Sequence, residues 1–203
     1  MKAAWGRRLR LLGVMTSFSA CASGPEHFFA LSSGVPPAAA PAPERSRSVV
    51  VEQAVLPDLI DRPQLVVRGD GNTVVILEQQ RWAEPLRSGI PRVVAENLGK
   101  LLGTNRVSTR DDVIRSPDCR VMIDVRRLDS QPLLEVTLEA LWTVACGDAP
   151  RRTGQSIAHE RLASKEIDAV VAAHGRVLDS MSRDIARTLQ DTSGAPAAAA
   201  EPR

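Results

Sequence analysis

The stretch CRVMIDVRRLDSQPLLEVTLEALWTVAC, residues 119–146, decides the fold class of this chain. Apolar side chains occupy every second position on both sides of Ser130-Gln131-Pro132, which favours a turn. The alternating residues are Val121, Ile123 and Val125 before the turn and Val136, Leu138, Ala140, Trp142 and Val144 after it. Because successive side chains of a strand point to opposite faces, this pattern predicts a long antiparallel hairpin with one apolar and one polar face.

Cys119 and Cys146 stand at the open end of this hairpin, on strands that pair. A cross-strand disulfide there closes a loop of about 27 residues, worth roughly 3–4 kcal/mol in the chain-entropy estimate. Two buried thiols or half of a metal site are the alternatives. The sequence has no Cys-x-x-Cys and only three scattered histidines, which argues against a metal.

Further strands and two helices flank the hairpin in the sequence. The predicted strands are 49–55, 64–68, 73–77, 106–108 and 155–162, with a turn at 69–72, and the predicted helices are 83–102 and 165–190. This content predicts an α+β fold of two layers, a mainly antiparallel sheet covered on one face by two amphipathic helices.

Several residues of the two helices break the apolar pattern. Pro91 predicts either a kink or a helix start with Ser88 as its N-cap, and Gly103 predicts the helix end. Asn97 is interpreted as a boundary residue and His174 as a boundary or core residue. A glycine at position 175 weakens the second helix slightly or lets a neighbouring segment approach closely.

The N-terminus predicts export. Residues 1–10 are basic, residues 11–20 are apolar, and Ser19-Ala20-Cys21 resembles a bacterial lipobox. The mature chain then begins at Cys21, which carries a covalent lipid; an ordinary cleaved signal beside a chance cysteine is the alternative. By resemblance to enterobacterial sorting signals, Ala22 favours the outer membrane, with the protein facing the periplasm.

Composition divides the chain into four parts. The predicted parts are a signal peptide at 1–20, a lipidated Cys21 with a short apolar segment and a Pro/Ala-rich linker to 48, one domain at 49–191, and a disordered tail at 192–203. Within the second part, the apolar residues 27–31 fit either an edge strand or a contact on the membrane side.

Charge and aromatic content exclude a nucleic-acid partner. Four of the 26 basic residues lie in the signal peptide, which leaves 22 basic against 24 acidic residues in the mature chain, a net charge of −2. A nucleic-acid surface needs a basic patch or aromatic side chains for stacking, and the sequence has three Phe, three Trp and no Tyr.

Catalytic motifs are absent from the sequence, so a non-enzyme is expected. There is no Gly-x-Ser-x-Gly and no His-Glu-x-x-His, and no histidine has a motif partner.

Two other segments stand out: LPDLIDRPQL at 56–65 and RWAEPL at 81–86. Prolines fix the path of the first. The candidate residues for binding a partner protein are Leu59, Asp61, Arg62, Pro63 and Trp82; the alternatives are a solvated connection for 56–65 and a core lid for Trp82.

These two segments, in this order and spacing, resemble the PqiC-type ABC-type transport auxiliary lipoprotein family. The similarity extends to Cys21, to the Phe28-Phe29 pair where the family commonly has Tyr-Tyr, and to the final helix. It implies a lipoprotein of the outer membrane that docks an MCE-domain protein, part of hexameric assemblies that move lipids across the envelope. It also implies no catalysis, no cofactor apart from the lipid on Cys21, and room for a homo-oligomeric ring. A free-standing lipid carrier and an envelope hydrolase remain alternatives.

Overall fold

The computed structural model describes residues 24–38, 47–132 and 134–193. The signal peptide, Cys21 and the end of the tail lie outside this part. Within it, the elements in chain order are β1 (His27–Phe29), β2 (Val49–Val51), β3 (Gln64–Arg68), β4 (Val74–Trp82), α1 (Leu86–Leu102), β5 (Val107–Ser108), β6 (Cys119–Gln131), β7 (Glu135–Cys146), β8 (Arg152–Arg161) and α2 (Ile167–Ser193).

The predicted long hairpin forms the centre of a five-stranded sheet of order β5-β2-β6-β7-β8. Strands β6 and β7 are antiparallel from the Cys119–Cys146 pair to the Gln131–Glu135 pair, with a register shift between Val125 and Arg127. The structure joins Cys119 and Cys146 in a disulfide. The apolar faces of β7 and β8 pack against α2, which in turn contacts α1. The α+β class and the helix-covered sheet are therefore confirmed.

The strands fall into two sheets, whereas the sequence pattern predicted one. A second sheet has the order β1-β4-β3. Strand β2 lies parallel to both β5 and β6. Parallel neighbours need a crossover connection, so the chain leaves the five-stranded sheet after β2 and returns to it later. The hairpin of β3 and β4 is built in that connection. Arg68 on β3 ties the two sheets together, since its Nε and one terminal nitrogen donate to Oδ2 of Asp129 on β6 at 3.1 and 2.9 Å.

Pro91 lies inside α1, which starts at Leu86 without a side-chain cap. The helix thus begins before Pro91. Ser88 lies in its first turn, and its hydroxyl donates to the Pro85 carbonyl at 2.9 Å. A proline has no N–H for the carbonyl four residues earlier. The backbone N–H of Ala54 donates to that carbonyl, Arg87 O, at 3.1 Å. Gly103 ends the helix with φ 65°, as the sequence predicted.

Asn97 is a core residue and not the boundary residue expected from the sequence. It is fully buried between the helices. Its amide nitrogen donates to Asp179 Oδ1 at 2.9 Å and to Ser182 Oγ at 3.0 Å on α2. Because a buried polar side chain is costly without partners, this cluster fixes how α1 and α2 face each other.

Residues 30–38, here called the N-terminal strap, pack onto both helices. Leu31 and Val35 are each only 3% exposed. The strap extends the folded unit on the N-terminal side of the predicted boundary at 49, because apolar residues within the Pro/Ala-rich segment reach the core. The strap crosses α2 at Gly175, where a Cβ atom would lie 2.8 Å from the Ser32 carbonyl oxygen. The glycine therefore allows this close approach, one of the two roles expected for it.

Further contacts hold the strap along its length. Its hydrogen bonds are Arg92 Nη2 to Leu31 O (2.8 Å), Lys100 Nζ to Ser33 Oγ (2.9 Å), Gly34 N to Asp179 Oδ1 (3.3 Å) and Ala38 N to Lys100 O (2.9 Å). Of the two helices in the described part, neither is long and apolar enough to cross a membrane.

Candidate functional site

A tight backbone turn shapes the first of the two motif segments. The N–H groups of Ile60 and Asp61 donate to the Pro57 carbonyl at 3.0 and 3.2 Å, and the N–H of Arg62 donates to the Ile60 carbonyl at 2.9 Å. Pro57 and Pro63 bound this turn, and each has a fixed φ angle. The side chains of residues 61–63 are therefore presented by a backbone with little freedom.

The second motif segment meets the first at the end of the β3–β4 hairpin. The N–H of Trp82 donates to the Pro63 carbonyl at 2.7 Å, and the N–H of Ala83 donates to the Phe29 carbonyl at 2.8 Å. Strand β1 pairs with β4 in parallel and places Phe29 opposite Trp82. Three segments that are distant in the sequence thus converge at Trp82.

Their convergence forms a cleft of about 280 Å³, here called the Trp82 cleft. Its lining residues are Asp61, Arg62, Pro63, Trp82, Ala83, Glu84 and Pro85. Four of the five candidate partner-binding residues therefore line one cleft. The fifth, Leu59, does not line it and packs against the hydrophobic core. Ala83, Glu84 and Pro85 were not among the candidates, although they belong to the quoted RWAEPL motif.

Trp82 is a core residue and also lines the cleft. Its position is compatible with both interpretations of it, a core lid and a partner-binding residue. It is 7% exposed. Its ring meets that of His174 on α2 edge to face, with the centroids 5.3 Å apart and the planes at 78°. Such a contact fixes the indole, so the wall that it gives to the cleft is rigid.

His174 is a neutral core residue. Its Nδ1 lies 2.8 Å from the Val170 carbonyl oxygen and its Nε2 lies 3.2 Å from Ser130 Oγ. A carbonyl only accepts, so Nδ1 carries the proton and Nε2 accepts from the Ser130 hydroxyl. Burial lowers the pKa of His174 to about 4, against the opposing effect of the bond to Val170. The ring is therefore uncharged at neutral pH.

Two carboxylates line the cleft, and each is held by an arginine of α1. Asp61 accepts from Arg87, through Nε at 3.2 Å and through a second, shorter bond from Nη2. This hydrogen bonding lowers the pKa of Asp61 below its ordinary value. Glu84 accepts from Arg92 Nε at 2.8 Å. Both acids are therefore paired with cations of α1.

Arg62 differs from these paired residues. Among the described residues it has no ion pair, and its Nε is buried without a hydrogen-bond acceptor. The cleft therefore presents one unpaired cation together with two carboxylates that are already paired with arginines of α1, an aromatic ring and two prolines. An arrangement of this kind suits binding of a polar group carried on an apolar segment.

The two carboxylates of the Trp82 cleft, Asp61 and Glu84, are both engaged in ion pairs. No serine, threonine, cysteine, lysine or histidine is among its lining residues. His159 lies on β8, hydrogen-bonded to Thr137 Oγ1 at 3.1 Å, and does not line the cleft either. In the part of the chain described by the structure, no group of three or more His, Cys, Asp or Glu is placed to hold a metal ion. The geometry of the cleft favours binding.

Comparisons with known proteins give a family match and similar solved structures. The family model described as "ABC-type transport auxiliary lipoprotein component" matches residues 29–186. A Xanthomonas campestris protein of the family DUF330 has a similar structure, with a TM-score of 0.67, 22% identity, and coverage of 82% of this chain and 99% of that chain.

A protein described only as uncharacterized gives a TM-score of 0.68 at 18% identity, with the same coverage of 82% and 99%. At these identities the two structures establish the fold alone. A comparison with curated proteins gives no significant match.

Proposed function

The chain belongs to the family of ABC-type transport auxiliary lipoprotein components, and from this premise we propose that it docks an MCE-domain protein of an intermembrane lipid transport system. In this proposal a lipid on Cys21 anchors it to the outer membrane, facing the periplasm. The domain contributes a binding surface and no catalysis. Several copies in a ring would suit a tubular partner.

One observation carries the proposal: both motif segments on which the family resemblance rests line a single cleft. Residues 61–63 and 82–85 are separated by the whole β3–β4 hairpin, yet they form adjoining walls. A structural role alone would not require both segments to keep exposed residues there, and Pro63, Ala83 and Pro85 are exposed. Rigid, partly apolar walls suit protein docking.

The size of the cleft favours docking over lipid carriage. Sites for small ligands enclose roughly 300–1,000 Å³ and bury most of the ligand. The Trp82 cleft, at about 280 Å³, is at the lower end of this range. It suits one or two side chains of a partner protein, whereas a diacyl lipid needs far more space.

A pull-down with a cleft-blocking variant tests the proposal. The full-length lipidated protein serves as bait in cross-linked envelopes, with mass spectrometry as the readout. Ala83→Tyr places a large side chain in the cleft, and Ala172→Tyr makes the same change on the exposed face of α2. We expect wild type and Ala172→Tyr to recover an MCE-domain protein and Ala83→Tyr to lose it.

Two results would contradict the proposal. Recovery of no MCE-domain protein by the wild-type bait, while other envelope complexes survive, removes the docking role. Lipid that co-purifies with the domain in its place would favour the carrier alternative. Equal recovery by all three baits would support the MCE-domain protein as the partner but show that the interface does not include the Trp82 cleft.

A further inference from the structure

One charged residue of the Trp82 cleft, Arg62, has no ion-pair partner among the described residues. Of its three charged lining residues, Asp61 is paired with Arg87 and Glu84 with Arg92. Arg62 has no carboxylate partner within the described residues. The two acids are thus occupied by cations from α1, and neither is free to neutralise the Arg62 guanidinium.

The environment of Arg62 makes an external acceptor favourable. Its side chain is half-buried and its Nε has no acceptor in the described part of the chain. Because Nε is shielded from solvent, a ligand oxygen in the cleft would accept from the terminal nitrogens of the guanidinium, whose charge has no partner among the described residues. A guanidinium presents its donors in a planar fork, which matches the two oxygens of a carboxylate.

The apolar lining residues beside Arg62 indicate which kind of residue flanks that carboxylate in the partner. The indole of Trp82 and the rings of Pro63 and Pro85 are apolar surfaces of the same cleft. We propose that the Trp82 cleft binds an acidic side chain of a partner protein flanked by apolar residues, with the carboxylate accepting from Arg62 and the apolar neighbours packing on Trp82 and the prolines. The inference rests on the proposed docking function and names the chemistry that the partner supplies.

A protein carboxylate fits the cleft better than a lipid phosphate does. Anionic membrane surfaces and phosphate groups are bound by clusters of basic side chains. This cleft offers one unpaired arginine, and its lining also includes Asp61 and Glu84. A carboxylate suits a single guanidinium, whose planar pair of donors matches its two oxygens, whereas a phosphate site would supply further basic side chains.

Peptide titration of the ¹⁵N-labelled full-length lipidated protein in detergent micelles tests this inference. The probes are acetyl-Leu-Glu-Leu-amide and acetyl-Leu-Gln-Leu-amide, which differ only in the charge of the central side chain. A short-chain phosphatidylglycerol serves as the phosphate probe. The readouts are the NMR signals of Arg62 Nε–H and Trp82 Nε1–H. We expect the Glu peptide to bind about tenfold more tightly than the Gln peptide and to shift both signals.

Charge variants separate Arg62 from general electrostatics. Arg62→Gln should reduce the affinity for the Glu peptide to that for the Gln peptide, and Arg62→Lys should retain part of the preference because it keeps the charge without the fork. The control, Arg152→Gln, removes the same charge from exposed β8 and should leave both affinities unchanged.

Several results would overturn the inference. These are equal affinity for the two peptides, a Glu preference that survives in Arg62→Gln, no shift with any probe, and a shift of Arg62 by phosphatidylglycerol that the Glu peptide does not match. Because the titration contains no MCE-domain protein, its failure leaves the docking proposal standing. Failure of the pull-down in turn does not change the peptide result.

Discussion

The indole of Trp82 and the imidazole of His174 are in edge-to-face contact, 5.3 Å between centroids, so a cleft wall and a buried neutral histidine are one packed unit. Protonation of His174 would put an unpaired charge beneath Trp82. The stability of the domain and the shape of the cleft should therefore respond to acid together.

We expect acid to destabilise the domain between pH 6.5 and 4 through His174. Its pKa is lowered from 6.5 to about 4 in the folded state. The unfolded chain binds the proton first, so the stability from the neutral ring is complete above pH 6.5 and is lost as pH falls through 4. The loss should reach about 3 kcal/mol. Urea unfolding as a function of pH measures it.

His174→Gln should flatten the stability profile in this window, whatever its effect at neutral pH. Asp61, Asp112 and Asp118 also have lowered pKa values, from an ordinary value of 3.8, so their contributions are lost at lower pH. An unchanged slope between pH 6.5 and 4 in the variant would show that His174 is not the responsible group.

Loss of the Cys119–Cys146 disulfide should weaken the domain without changing its fold. The cysteines are 27 residues apart, and a double Cys119→Ala, Cys146→Ala variant should lose roughly 3 kcal/mol of unfolding free energy. The measurement is denaturant unfolding with and without reductant. Reductant should lower the midpoint of the wild type and leave that of the double variant unchanged; a wild-type midpoint insensitive to reductant would contradict the prediction.

Gly175→Ala should release the N-terminal strap. Alanine favours a helix over glycine by about 1 kcal/mol, so an unobstructed site would gain stability. Here the new Cβ would lie 2.8 Å from the Ser32 carbonyl oxygen. We expect faster amide exchange at Gly34 and Ala38, whose N–H groups hold the strap, with Val121 in β6 as the internal control. A higher melting temperature with unchanged exchange at both residues would show that the strap accommodates the methyl group.

Cys21→Ser should abolish lipidation and membrane anchoring while the domain stays folded. The described contacts of the domain start at Glu26, which pairs with Arg81 at 3.1 Å. Detergent-phase partition and intact mass detect the lipid, and the far-UV circular dichroism of the variant reports the fold. Retention of the variant in the membrane fraction would mean that something other than Cys21 anchors the protein.

The hairpin, both helices and four of the seven residues that line the cleft could be predicted because local patterns determine them. Period-two alternation in 119–146 and the helical apolar stripes depend only on nearby residues. Four of five candidate residues line the Trp82 cleft because prolines and a tryptophan mark that surface in the sequence itself. The family resemblance is matched by the family model over 29–186.

Other features depend on contacts between residues far apart in the chain. The parallel pairing of β2 with β6, which splits the strands into two sheets, leaves no periodic pattern in a three-residue strand. The sequence pattern predicts Asn97 as a boundary residue because its partners Asp179 and Ser182 are more than 80 positions away. The ion pairs of Asp61 and Glu84 with arginines of α1 can likewise be identified only in the folded structure. The same holds for the lack of such a pair at Arg62 among the described residues.

The attachment of the chain to β4 through Glu26 and β1, ahead of the N-terminal strap, shortens the tether between membrane and domain. With lipid on Cys21, as proposed, only four residues separate the anchor from Glu26, which is paired with Arg81, and the five steps from Cys21 to Glu26 reach at most about 18 Å. A free linker as far as residue 48 would reach about 90 Å. The domain would therefore sit against the bilayer surface with little freedom to turn. A partner would find the Trp82 cleft at a nearly constant height, and would have to bridge the remaining distance itself.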